Sequence, residues 1–225
     1  MKKLNFRQYT AEIIGTFGLV FFGCLAAVLT DDLFTTSLAF GVAVIAFAYT
    51  VGRVSGGHFN PAVTLAVLIR KKITVLNAVM YFVAQLIGAT IATLFILLIT
   101  NGTIYEGQFG ANDFASGLTL NAFVLEAVLT CIFVFIILVV TSSKDNAKVA
   151  PIVIGLTLTI GLGIAYHFTG GSMNPTRSLI PALFTGGTAL ENVWVFLVAP
   201  FVGSIVAALG FILYEKTKVD PTLDI

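Results

Sequence analysis

The chain has 225 residues, 58% of them apolar and only 10% charged, with a formal net charge of +1 and a mean hydropathy of +1.01. A soluble domain carries about 25% charged residues, so this composition excludes an ordinary water-soluble globule and leaves little chain outside a bilayer. The near-neutral charge offers no basic footprint for a nucleic-acid partner, and Cys24 and Cys131, both inside apolar runs, read as packing residues rather than a disulfide or a metal pair.

Six runs reach the roughly 20 residues that a membrane-spanning helix requires: 9–29, 34–53, 75–99, 119–141, 149–168 and 191–214. Lys2, Lys3 and Arg7 ahead of the first run imitate a signal peptide, but Glu12 interrupts that run and the segment has a twin later in the chain. After the second run, Ser55-Gly56-Gly57-His58-Phe59-Asn60-Pro61-Ala62-Val63-Thr64 places two glycines ahead of Asn-Pro and a short apolar helix. After the fifth run the device returns as Gly170-Gly171-Ser172-Met173-Asn174-Pro175-Thr176-Arg177-Ser178. Asparagine suits an N-cap, and proline suits the first helical turn, where no N–H is needed. The second short helix, Pro175 to about Phe184, is roughly half the length of a span at ~1.5 Å per residue.

A single Asn-Pro could merely start a loop helix. Two in matched settings point to half-helices entering the bilayer from opposite faces. Irregular backbone at membrane depth persists only where it is buried in protein or lines a cavity. Each helix start carries about half a positive charge. The two together would repel a cation, while the Asn60 and Asn174 amides offer hydrogen bonds to a neutral polar solute.

The halves form an internal repeat, with repeat 1 at about 8–100 and repeat 2 at about 119–215 of a single domain, 1–225. Asn174 lies 114 residues after Asn60, and the same shift takes Glu12 to Glu126, Thr16 to Thr130, Phe21 to Phe135, Gly41 to Gly155 and Gly57 to Gly171. Three spans per half invert the second copy, an arrangement that places a substrate path at the repeat interface. The predicted class is an all-α membrane protein of six spans plus two re-entrant half-helices. Lys2, Lys3, Arg7, Arg70, Lys71, Lys72, Lys144, Lys148, Lys216 and Lys218 fall on one set of connections and ends. The alternate loops hold Asp31, Asp32, Glu106, Asp113 and Glu191. The positive-inside rule then puts both termini in the cytoplasm.

A carboxylate inside a span is costly and by default functional. Glu12 and Glu126 read as acceptors for unpaired N–H groups of the two loops. The other reading is a proton relay, for which the sequence adds only His58 and His167. His58 reads as a loop-packing or vestibule residue, since no second metal ligand is near. Arg177, one turn into the second half-helix, would present a fixed charge and donors from the outer side, or else snorkel to the surface. Arg53 is placed at the inner mouth.

Two Asn-Pro-Ala-type boxes (Asn60-Pro61-Ala62 and Asn174-Pro175-Thr176), Arg177, the Glu12/Glu126 pair and six inverted-repeat spans resemble the aquaporin (major intrinsic protein) family over essentially the whole chain. The resemblance implies a homotetramer in the cell membrane, one pore per subunit and passive flow without cofactor or metal. Family members narrow the pore at four positions, which by spacing from the boxes fall on Phe40, Leu162, Gly171 and Arg177. Phe40 and Arg177 fit the water-channel branch, as do Ser178 and Ala182. Leu162 departs, because strict water channels usually carry histidine there, and Leu197 stands where they favour tryptophan. With Leu162 beside Gly171 the throat is expected to be wider and more apolar; a register slip of one would put Gly161 or Gly163 there instead.

These readings favour a passive channel for water that also admits glycerol or other small neutral solutes while excluding ions and protons, with a glycerol facilitator as the alternative. An ion-coupled transporter can also use inverted repeats and broken helices, but no acidic residue remains for an ion site once Glu12 and Glu126 support the loops. An enzyme lacks a nucleophile–base pair or metal cluster in this sequence.

Overall fold

The computed structural model describes residues 5–143 and 146–217. Lys2, Lys3, Lys144 and Lys218, used above for orientation, lie outside the described residues. In the first half, α1 (Phe6–Thr30) and α2 (Leu33–Thr50) lead to the one-turn α3 (Gly52–Ser55), the short α4 (Pro61–Ile69) and α5 (Val75–Thr100). The second half runs α6 (Thr119–Ser142), α7 (Ala150–Thr169), the short α8 (Pro175–Thr185) and α9 (Gly187–Thr217), with a 3-10 turn at Asn146–Lys148 before α7. The described residues contain no strand. Six of the helices are long and apolar enough to cross a membrane; α4 and α8 are not.

Among the helices whose extents differ from the apolar runs are α2 and α9. The second run extends to residue 53, but α2 stops at Thr50 and the next turn winds separately, ending on Gly56 at φ 95°. That break frees the chain to turn inward toward Asn60. The last helix is longer than its run, because its polar ends, Gly187 to Leu190 and Glu215 to Thr217, continue the helix.

Close packing in a bilayer is driven by small residues that let backbones approach. In α5, Gly88 faces the Ile13 carbonyl of α1; in α9, Gly203 faces the Ala127 carbonyl of α6. Ile13 and Ala127 are themselves 114 residues apart. Between the halves, α2 crosses α7 where Gly41 meets Gly155, and a Cβ on either would strike the carbonyl oxygen of the other. These two glycines mark the pseudo-two-fold axis relating the repeats. Outward-facing Phe22, Leu98, Leu120 and Leu213 are exposed, as suits a surface whose solvent is lipid. An even number of membrane-length helices leaves the start of α1 and the end of α9 on one side, here called the terminal face.

Candidate functional site: a cavity between two Asn-Pro turns

The two turns share one backbone course. Gly56 and Gly57 (φ 95° and 66°) match Gly170 and Gly171 (φ 73° and 64°), and the non-glycine residues Phe59 (φ 48°) and Met173 (φ 51°) also sit in the left-handed region. Such conformations cost of order 1–3 kcal/mol at a non-glycine residue and persist only where the surroundings hold them. Two buried carboxylates do the holding. Glu12 accepts from Ser55 Oγ at 2.6 Å, His58 N at 3.0 Å and Phe59 N at 2.8 Å. Glu126 accepts from Thr169 Oγ1 at 2.6 Å, Ser172 N at 3.0 Å and Met173 N at 2.9 Å. The loop N–H groups of His58, Phe59, Ser172 and Met173, which have no helical partner, thus meet carboxylate acceptors.

Asn60 and Asn174 cap α4 and α8. Asn60 Oδ1 accepts from Ala62 N at 2.8 Å, and Asn174 Oδ1 accepts from Thr176 N at 3.1 Å and Arg177 N at 3.3 Å. Pro61 and Pro175 occupy the first turns. Each amide then crosses to the other half: Asn60 Nδ2 donates to Met173 O at 2.7 Å, and Asn174 Nδ2 donates to Phe59 O at 2.9 Å. The strained Phe59 and Met173 therefore supply the carbonyls that orient the opposing amides. An NH2 group has two hydrogens, so one on each asparagine remains for another acceptor, at the start of a helix whose end is positive.

Both asparagines line a cavity of about 450 Å³. Arg70, Lys72 and Glu215 line it at the terminal face; Val63, Val67, Phe133 and Leu138 form apolar walls; and Phe40, Leu162 and Arg177 lie at its far end. Arg177 is 2% exposed. Its NH1 donates to Gly110 O at 2.9 Å and to Asn112 Oδ1 at 2.5 Å, its guanidinium lies 4.8 Å from the Phe40 ring centroid, and its Nε has no partner among the described residues. It does not snorkel to the surface.

Of the three candidates on α7, Leu162 lines the cavity. A side chain on Gly161 would point into Met173, and one on Gly163 toward Ser37 and Leu33. Gly171 does not line the cavity: a Cβ there would lie 2.6 Å from Leu162 Cδ2, so its missing side chain makes room for the leucine. Thr176 is buried. His58 both packs and lines the cavity, with Nδ1 3.0 Å from Thr64 Oγ1 and its ring 5.0 Å from that of Tyr81. His167 is exposed beside Tyr166. Arg53, placed at the mouth by spacing, is exposed on α3 and does not line the cavity; Arg70 takes that position, paired with Glu215 at 2.6 Å.

Several participants escape a reading of the boxes alone. Ser55 and Thr169, which bond the two glutamates, are related by the 114-residue shift, as are Thr64 and Ser178; that register is the signal that finds them. Gln85 Nε2 donates to Glu12 at 2.8 Å and Thr64 Oγ1 at 3.1 Å, but its mate by the shift is Ala199. Asn112 belongs to the loop between the halves and has no mate at all.

A family model described as Major intrinsic protein matches residues 1–211. The chain is 44% identical over 208 residues to "Glycerol uptake facilitator protein-like 6" of Lactiplantibacillus plantarum, covering 90% of this chain and 95% of that one. It is 37% identical over 234 residues to "Aquaporin Z" of Rhodopseudomonas palustris, covering 97% and 96%. Among solved structures, the aquaglyceroporin from Plasmodium falciparum superposes with a TM-score of 0.81 at 25% identity, covering 96% of this chain and 99% of that one. Paired Asn-Pro turns, crossed amides and this likeness over nearly the full length lead to one conclusion: the chain is a multi-pass membrane protein of the major intrinsic protein family.

Proposed function

We propose that this protein is a passive channel for water that also passes small neutral solutes such as glycerol and excludes ions and protons. The observation carrying this reading is the Asn60/Asn174 pair. Each amide is fixed by its own helix and by the opposite loop, yet keeps one N–H for an acceptor in the cavity. A water or alcohol oxygen accepts such a bond, whereas a cation meets two positive helix ends, and the carboxylates nearest to them, Glu12 and Glu126, are engaged by the loops and do not line the cavity. Arg177, with its unpartnered Nε and Phe40 and Leu162 at the same end of the cavity, forms the narrow filter in this reading, and Gly171 shapes it through Leu162. Glu12 and Glu126 act as loop supports; with their oxygens occupied by loop donors, neither is left free to couple transport to an ion gradient.

The glycerol-facilitator reading is favoured by the apolar Leu162 and by the 44%-identical relative named as a glycerol uptake facilitator-like protein. Arg7, Arg70, Lys71, Lys72, Lys148 and Lys216 all fall on the terminal face, which supports cytoplasmic termini in a plasma membrane; the family supports a homotetramer. Light scattering of proteoliposomes under a water gradient and then a glycerol gradient tests the proposal. Fast shrinkage followed by slower, measurable glycerol entry fits it. Solute entry that collapses with a protonophore would establish coupling instead.

A further inference from the structure

We infer that Asn112, in the loop joining the two halves, is the positioning residue for Arg177 and thereby sets how the channel discriminates glycerol from water. This inference rests on the channel reading above. Among the described residues, Asn112 Oδ1 is the one side-chain acceptor of the Arg177 guanidinium; the other partner of NH1, Gly110 O, is backbone. Asn112 is itself 1% exposed and held on two further sides. Its Nδ2 donates to Thr169 O at 2.9 Å, and its Oδ1 also accepts from Ser178 Oγ at 2.8 Å. Thr169 in turn bonds Glu126, and Ser178 Oγ lies against Ser172 Oγ of the cavity wall.

A single amide thus ties the connecting loop to the end of α7, to α8 and to the arginine. A group whose own rotamer is locked in this way can fix a long neighbour to within a fraction of an ångström. With NH1 drawn to Asn112 and Gly110, the guanidinium is held against the wall beside Phe40, and Nε is left free. Without the amide oxygen only one carbonyl restrains NH1. The side chain then regains rotamers that lean across the cavity toward Leu162, which obstructs a three-carbon solute more than a water molecule.

The test compares proteoliposomes of the parent, Asn112→Ala, Asn112→Asp, Arg177→Val and the double variant, with flux normalised to folded channel. The glycerol-to-water ratio of Asn112→Ala is expected to fall at least about threefold, the coupling usual for residues in direct contact. Asn112→Asp, which keeps the acceptor oxygens, restores most of the parent ratio. In the Arg177→Val background, Asn112→Ala leaves the ratio unchanged. Should Asn112→Ala not accumulate, Asn112→Leu carries the same test, because it removes the acceptor oxygen while keeping a side chain of similar shape. A residue that merely braces the loop would change yield or Tm and leave the ratio per folded channel as it was; that result, or the same loss with and without Arg177, overturns the inference. A parent impermeable to both solutes would overturn the channel reading itself and this inference with it, which a permeable parent with an unmoved ratio would not.

Discussion

The Leu162 side chain occupies the space that a side chain on Gly171 would need, with Cδ2 2.6 Å from the position of a Gly171 Cβ. These residues come from different elements, the second half of α7 and the turn before α8, and they act as a unit: the glycine is small because the leucine is large. The wall facing Arg177 is apolar as a result, and its width depends on one branched side chain.

Leu162→His is therefore expected to lower glycerol flux more than water flux. Imidazole adds ring bulk and a polar group that competes with solute hydroxyls for Arg177, while water remains small enough to pass. The comparison requires both solutes on the same vesicles, and an unchanged ratio would remove Leu162 from the filter.

Arg177→Val removes a fixed positive charge from a buried position next to the Asn174 helix start, where Coulomb terms are far stronger than in bulk water. Proton or small-cation leak should appear in a pH-dye or conductance assay while water flux is retained. Vesicles as tight to ions as the parent would assign the barrier to the helix ends alone.

Glu12 and Glu126 each satisfy two loop N–H groups and a hydroxyl. Leucine at either position leaves those donors unpaired at roughly 1–3 kcal/mol each, so folded yield and Tm drop sharply. Glutamine keeps one acceptor oxygen and is expected to lie between leucine and the parent. Equal behaviour of the Gln and Leu variants would exclude the supporting role.

Asp113, next to Asn112, anchors the connecting loop to α9 by accepting from Thr188 Oγ1 at 2.6 Å and Asn192 Nδ2 at 2.7 Å. Partial burial pushes its carboxyl up, but hydrogen bonds from Asn192, Thr188 and the Phe114 N–H outweigh this and hold the group below the ordinary aspartate value. A depressed folded-state pKa gives stability that is present above the unfolded value and lost as pH falls through the folded one. The Tm difference between the parent and Asp113→Asn should thus be steady from neutral pH downward and shrink only below about pH 4. A difference that disappears near pH 6 would implicate another group.

Much of this architecture is legible in the sequence, for identifiable reasons. Spans announce themselves by length and apolarity, and a 114-residue register carried by Glu12/Glu126, Gly41/Gly155 and Asn60/Asn174 exposes the repeat without any structure. What the register does not reach are the places where the halves differ. Asn112 has no mate and sits among loop residues with no period. Gln85 is matched to Ala199, so its bonds to Glu12 and Thr64 leave no echo. Arg70 and Glu215 are 145 residues apart and meet only because α4 and α9 pack together; spacing alone favoured Arg53. The direction of a side chain within α7 depends on helix rotation, which set Leu162 apart from Gly161 and Gly163.

In the proposed function, water crosses through the cavity between the two Asn-Pro turns, driven by its gradient alone. The most direct test is the rate of osmotic shrinkage of parent proteoliposomes against empty ones at several temperatures, with and without a protonophore. The expected rate is well above that of lipid, weakly dependent on temperature and indifferent to the protonophore. A rate equal to that of empty vesicles, or one that follows the steep temperature dependence of the bilayer, would contradict it.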